Sequence, residues 1–161
     1  MKIILEEALK DSLRRFGLKL AAAESCTGGL VSHRITNVSG SSEYFPGGII
    51  AYAYEAKVNL LGVSWETLNL HGAVSREVVL EMARGVRKAF DADIGVSVSG
   101  IAGPGGAMPG KPVGTTWLGL STTTGDWARH FVWDGGREQN KQYSSEAALQ
   151  FVIDYLQGKL I

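Results

Sequence analysis

The residues best suited to chemistry lie in one short stretch, Ala21–Leu30, which reads AAAESCTGGL. Small apolar residues run into Glu24-Ser25-Cys26. Thr27-Gly28-Gly29 follow, and Leu30, Val31, Ile35 and Val38 then recur at helical spacing. The pattern predicts a buried strand, a tight turn and the first turn of a helix. A helix start leaves backbone N–H groups unpaired and carries partial positive charge. Gly28 and Gly29 would let a ligand come close to those groups. Ser25 and Cys26 therefore stand beside a ready site for an anion or an oxyanion, with Thr27, Gly28 and Gly29 as its donors. The plainer reading is a strand-to-helix turn with Thr27 as N-cap. The local pattern does not separate the two.

A serine nucleophile needs a base. His33, His71 and His130 are scattered, and none is placed to serve. Lys57 is the alternative. An amine accepts a proton only when neutral, and a lysine in water titrates near about pH 10.4. Burial and a helix N-terminus both lower that value. The sequence puts Lys57 in the first turn or so of a short helix, where both effects operate. On the residues alone, a solvated helix lysine is the favoured reading. Tyr52 stands at a strand end, where it either hydrogen-bonds the pair or packs in the core. Ser99-Gly100-Ile101-Ala102-Gly103 follows another strand. Free N–H groups in such a turn can cradle a phosphate, and a plain loop fits equally well.

Other motifs fail on context. Gly105–Lys111, GGAMPGK, has the glycine and lysine spacing of a phosphate-binding P-loop. Pro112 follows where that motif needs Ser or Thr, and the next residues read as a strand rather than a helix. Ser97 and Ser99 lack the flanking glycines of a nucleophile elbow. One cysteine and no helical histidine pair give no zinc site, so no metal is expected.

These residues need elements to hold them. Leu5, Leu9, Leu13 and Phe16 mark one face of a first helix, closed by Gly17. Leu18–Glu24 is the first strand, and its alanines predict close packing on both faces. The helix after Ser25 ends near Asn37–Gly40. Gly47–Ala53 is a second strand, and residues 55–61 form a short helix stopped by Gly62. Residues 64–70 give no clear pattern. Ser75 caps a long helix with Val79, Met82, Ala83, Val86 and Phe90 inward. Ile94–Ser99 is a third strand, and Ile101–Val113 a loop. Residues 115–122 and 127–133 read as a hairpin. A last helix covers residues 139–156. Alternating strands and helices predict an α/β fold with a mixed, largely parallel sheet of about five strands. Ligands in such sheets bind beyond the carboxyl ends of the strands, where Glu24–Gly29, Tyr52–Lys57 and Ser99–Gly103 all fall.

The chain of 161 residues, with 16 basic and 16 acidic side chains, fits one domain over residues 1–161. The balanced charge offers nothing to nucleic acid or to an anionic membrane. A single cysteine cannot form an intrachain disulfide and suits a reducing, cytoplasmic setting. The start, Met1-Lys2-Ile3-Ile4-Leu5, meets Glu6-Glu7 too soon for a signal-peptide core, and no apolar run reaches membrane-span length.

AESCTGGL, GGIIAYAYEAK, HGAVS, SVSGIAGPGG and KPVGTTW together resemble the CinA C-terminal domain family, from the first helix to near the C-terminus. Its stand-alone members include nicotinamide mononucleotide (NMN) amidohydrolases. The resemblance implies a three-layer α/β/α sandwich, a dimer, and hydrolysis of the nicotinamide amide to nicotinate mononucleotide and ammonia. It implies no metal or organic cofactor, and a pyridine mononucleotide as the small-molecule partner. The family's serine nucleophile falls on Ser25, and its lysine and tyrosine fall on Lys57 and Tyr52. In an acyl-enzyme mechanism the Thr27–Gly29 amides would meet the oxyanion. The Ser99–Gly103 turn and Arg137 would hold the phosphoribosyl end. Tyr54 stands where Asn is often found, and Asn140-Lys141 where a branched apolar residue and Arg are usual. A non-catalytic nucleotide-binding or interaction module, derived from a larger CinA-type protein, is the alternative. A cysteine amidase through Cys26 has no Cys–His pair behind it.

Overall fold

The computed structural model describes residues 4–160. The residues Met1-Lys2-Ile3 of the expected leaderless start lie outside the described residues. Five strands form one sheet in the order β2-β1-β3-β4-β5. They are β1 (Leu20–Glu24), β2 (Gly47–Ile50), β3 (Ile94–Gly100), β4 (Thr115–Thr122) and β5 (Asp126–Val132). β1 pairs in parallel with β2 and β3, while β3–β4 and β4–β5 are antiparallel. Four of the five strands therefore share one direction, and the sheet is mixed as expected.

Helices cover both faces. On one lie α1 (Ile4–Phe16), α2 (Leu30–Thr36) and α6 (Arg137–Leu156); on the other lie α3 (Tyr54–Leu61), α4 (Trp65–His71) and α5 (Arg76–Ala89). The alternation of β1 divides its side chains between the two cores. Leu20 and Ala22 pack with Leu9, Leu13, Val31 and Phe151, whereas Ala21 and Ala23 pack with Leu61, Leu68, Val78 and Met82. Every residue of β1 is buried, which explains why the strand is built from alanines with helices close on both sides.

The helix over residues 65–71 was not legible. Its Ser64 hydroxyl accepts from Thr67 N–H as an N-cap, but Leu68 is its only fully buried residue, so seven residues carry no apolar period. Gly85 places α3. A Cβ there would meet the Leu61 carbonyl oxygen at 1.8 Å, so only glycine lets α5 come this close to the end of α3. That contact fixes the helix that carries Lys57. Among the described residues no helix is long and apolar enough to cross a membrane.

Candidate active site

Glu24 is the last residue of β1, and Ser25 opens the turn into α2. The Ser25 N–H donates to Val98 O at 3.0 Å, which extends the β1–β3 ladder by one residue and anchors the serine beside β3. The turn then needs two left-handed residues, Gly28 at φ 59° and Gly29 at φ 106°. Gly29, not Thr27, is the N-cap of α2. The capping oxygens come from Glu24. Its fully buried carboxylate accepts from the N–H groups of Gly29 (3.2 Å), Val31 (2.9 Å) and Ser32 (2.9 Å), and from the hydroxyls of Thr27 (2.6 Å) and Ser32 (2.7 Å). Positive partial charge at the helix start compensates the buried carboxylate.

This arrangement changes the expected oxyanion donors. The Gly29 N–H serves Glu24, and the Gly28 N–H donates to Ser25 O at 3.1 Å. A Cβ on Gly29 would meet Ile50 Cδ1 at 3.0 Å, so Gly29 faces protein rather than open space. The N–H groups of Cys26 and Thr27 donate to no backbone or side-chain oxygen among the described residues, and of these two residues only Cys26 lines the cavity beside Ser25.

Lys57 reaches Ser25 from α3, across the end of β2. Its Nζ lies 2.9 Å from Ser25 Oγ, 2.8 Å from Ala51 O and 3.3 Å from Tyr52 O. The side chain is 1% exposed, and no carboxylate pairs with it among the described residues. Burial of an unpaired ammonium is costly, and it pulls the Lys57 amine down to about 8, against a small opposing effect of the Cys26 thiol. Two carbonyls can hold the two N–H bonds of the neutral amine, which leaves its lone pair for the Ser25 hydroxyl. The Ser25 side chain is itself 7% exposed.

Tyr52 enters differently from the expected proton relay. Its backbone carbonyl touches Lys57, while its phenol, on a 62% exposed residue, accepts from Arg137 Nη2 at 3.2 Å. Arg137 begins α6, two residues before the predicted helix start, and its Nη1 donates to Gly103 O at 2.8 Å. Ser25, Cys26, Tyr52, Tyr54, Lys57, Ala73, Val74, Ser99, Gly100, Ala102 and Arg137 enclose a cavity of about 200 Å³. Of the predicted phosphate turn, Ser99 and Gly100 belong to β3, and Ile101 and Gly103 do not line this cavity. The Ile101 N–H donates to Thr115 O, and the carbonyls of Ala102 and Gly103 accept from Asn140 and Arg137. The buried Ser99 hydroxyl makes no hydrogen bond among the described residues and lines the cavity.

Cys26 also lines the cavity, but burial pushes its thiol up to about 12. Two larger hollows, of about 690 and 580 Å³, run along α6 away from Ser25 and hold no paired nucleophile and base. Among the described residues no three His, Cys, Asp or Glu side chains come together as a metal site.

The CinA C-terminal domain family model matches residues 2–156. The chain belongs to the CinA C-terminal domain family. It is 47% identical over 148 residues to a CinA-like protein of Salinibacter ruber, which covers 92% of this chain and 36% of that protein. It is 52% identical over 132 residues to a putative competence-damage inducible protein of Moorella thermoacetica, covering 82% of this chain and 32% of the relative. The chain thus spans about a third of the length of these curated relatives. A CinA superfamily protein from Klebsiella pneumoniae 700603 superposes with a TM-score of 0.94 at 30% identity, over 98% of this chain and 99% of the other. The competence/damage inducible protein CihA from Agrobacterium tumefaciens superposes with a TM-score of 0.86 at 38% identity, over 95% of each chain. The CinA fold therefore accounts for the whole sandwich.

Ala73 and Val74 carry no signal of a site role in the motifs above, and neither the capping by Glu24 nor the carbonyl contacts of Lys111 and Asn140 were expected from them. Glu24 had a signal, an acid just before a helix start. Asn140 stood out only as a departure from the family pattern, and its place comes from tertiary packing, accepting from Gly135 N–H and donating to Ala102 O.

Proposed function

We propose that this CinA-family domain is an amidohydrolase that cleaves the carboxamide of NMN through Ser25 activated by Lys57. The observation that carries the proposal is the buried Lys57 amine, 2.9 Å from Ser25 Oγ and unpaired by any carboxylate among the described residues. Lowering a lysine from 10.5 to about 8 raises its neutral fraction near pH 7 by roughly 300-fold.

In this reading Ser25 Oγ attacks the carboxamide carbon while Lys57 Nζ takes the hydroxyl proton. The Cys26 and Thr27 N–H groups, both unpaired at the turn, are the available donors to the oxyanion, and Cys26 is the one of the two that lines the cavity. Collapse breaks the C–N bond, and the Lys57 ammonium returns its proton to the departing nitrogen, which leaves as ammonia. A water then adds to the ester carbonyl and gives its proton to Lys57. The second collapse breaks the ester bond, Ser25 Oγ recovers the proton, and the free acid leaves.

A cavity of about 200 Å³ is smaller than a whole ligand pocket of roughly 300 Å³ or more. It suits the ring and its carboxamide, with the ribosyl phosphate at the mouth. Arg137 lines the pocket and no acid does. Lys141, one helical turn along, has no ion pair among the described residues, and a Cβ on Gly28 would meet its Nζ at 3.7 Å. That positive mouth fits an anionic amide. The same reading takes the protein as a cytoplasmic homodimer with no metal or organic cofactor. Incubating the pure protein with NMN and assaying ammonia tests it. Turnover by wild type and none by Ser25→Ala is the expected result. Ligand binding with no ammonia release would favour a non-catalytic nucleotide-binding module.

A further inference from the structure

The Gly-rich segment between β3 and β4 is fastened at both ends, and its tip reaches across the pocket wall. Its root is held from α6, by Arg137 on Gly103 O at 2.8 Å and Asn140 on Ala102 O at 3.0 Å. Its tip is the turn Met108-Pro109-Gly110-Lys111. Proline at the second position and glycine at φ 75° at the third are what a type II turn requires. Met108 and Lys111 exchange both backbone hydrogen bonds, at 2.9 and 2.8 Å. This turn aims Lys111 at the end of α4, where its Nζ donates to His71 O at 2.6 Å. His71 is the last residue of α4, so its carbonyl lacks an intrahelical partner and welcomes a cation. Lys111 has no ion pair among the described residues.

The next residues after His71 form the pocket wall. Ala73 and Val74 line the cavity, and the Ala73 N–H points to the Tyr54 hydroxyl at 3.4 Å. The pocket perimeter is thus closed by hydrogen bonds between separate segments: Tyr54 to Ala73, Lys111 to His71, Arg137 to Gly103, and Arg137 to Tyr52. Of the four side chains that make these bonds, Tyr52, Tyr54, Arg137 and Lys111, only Lys111 does not line the cavity.

We propose that Lys111 is a positioning residue that latches the 101–114 strap onto the α4–α5 connection and so sets how tightly the pocket holds its ligand. The kinetic part rests on the amidase reading, and the structural part does not. The lysine of the GGAMPGK stretch therefore serves a carbonyl of its own chain rather than a bound phosphate.

The test compares wild type with Lys111→Met and Lys111→Arg by hydrogen–deuterium exchange and by NMN hydrolysis. Lys111→Met should speed amide exchange at Gly72 and Ala73 by about tenfold, the worth of one hydrogen bond, and leave β3 protected as in wild type. It should raise KM for NMN by about tenfold and leave kcat within about twofold. Lys111→Arg, which keeps a donor, should sit near wild type in both. Unchanged exchange at Gly72 and Ala73 overturns the proposal. So does exchange that rises equally in β3, which would make Lys111 a residue of global stability, and so does Lys111→Arg behaving like Lys111→Met. If wild type releases no ammonia from NMN, the amidase reading fails, and exchange alone still decides the latch.

Discussion

The Glu24 carboxylate accepts both the backbone N–H and the hydroxyl of Ser32, eight residues further along, at 2.9 and 2.7 Å. A strand-end acid thereby ties itself to the first turn of the helix that follows, and Ser25 is carried on the turn between them. Glu24→Gln keeps the shape and turns an NH2 group toward N–H donors. It should destabilise the fold by about 2 kcal/mol, the cost of a buried donor left unpaired. Chemical denaturation measures this as a lower midpoint. A midpoint equal to wild type would mean that the α2 start is held by other means.

The elements were legible because their patterns are local. β1 announced itself by a run of alanines, α5 by its Ser75 cap and apolar face, and the β4–β5 hairpin by its flanking turn. The site was legible only in part. Ser25 stands on a recognisable strand–turn–helix junction, but nothing local makes Lys57 point inward. Leu61 is the only other fully buried residue of α3, and it is Gly85 on α5 that draws the helix in. The phenol of Tyr52 could not be assigned for the same reason, since its partner Arg137 is 85 residues away. Periodicity reports a helix face, whereas these contacts depend on which helices meet.

Tyr54 bears on substrate choice. It lines the cavity at the start of α3, with Trp65 beside it at 6.4 Å between ring centroids. A planar ring in the pocket can stack on it for about 1 kcal/mol. Tyr54→Asn should fold normally and lower kcat/KM for NMN by about fivefold relative to an aliphatic primary amide. An unchanged ratio between the two substrates would remove Tyr54 from recognition.

Cys26 is the nearest competing nucleophile. Burial pushes its thiol up to about 12, so essentially no thiolate exists at neutral pH. Cys26→Ala should keep kcat within about threefold in the ammonia assay, and thiol alkylating agents should act slowly on the native protein. An inactive Cys26→Ala beside an active Ser25→Ala would move the nucleophile by one residue.

Catalysis by Ser25 requires a neutral Lys57 amine, and the pH profile of NMN hydrolysis tests this most directly. A base works when unprotonated, so kcat/KM of wild type should climb with pH and level off above about 8, where burial has placed the lysine. Lys57→Met should lose about 10²–10⁴-fold in rate and the climb with it. The double variant with Ser25→Ala should be scarcely worse than Ser25→Ala alone, since nucleophile and base act as one unit. Lys57→Met with wild-type kcat/KM and the same rise through pH 8 would contradict the account.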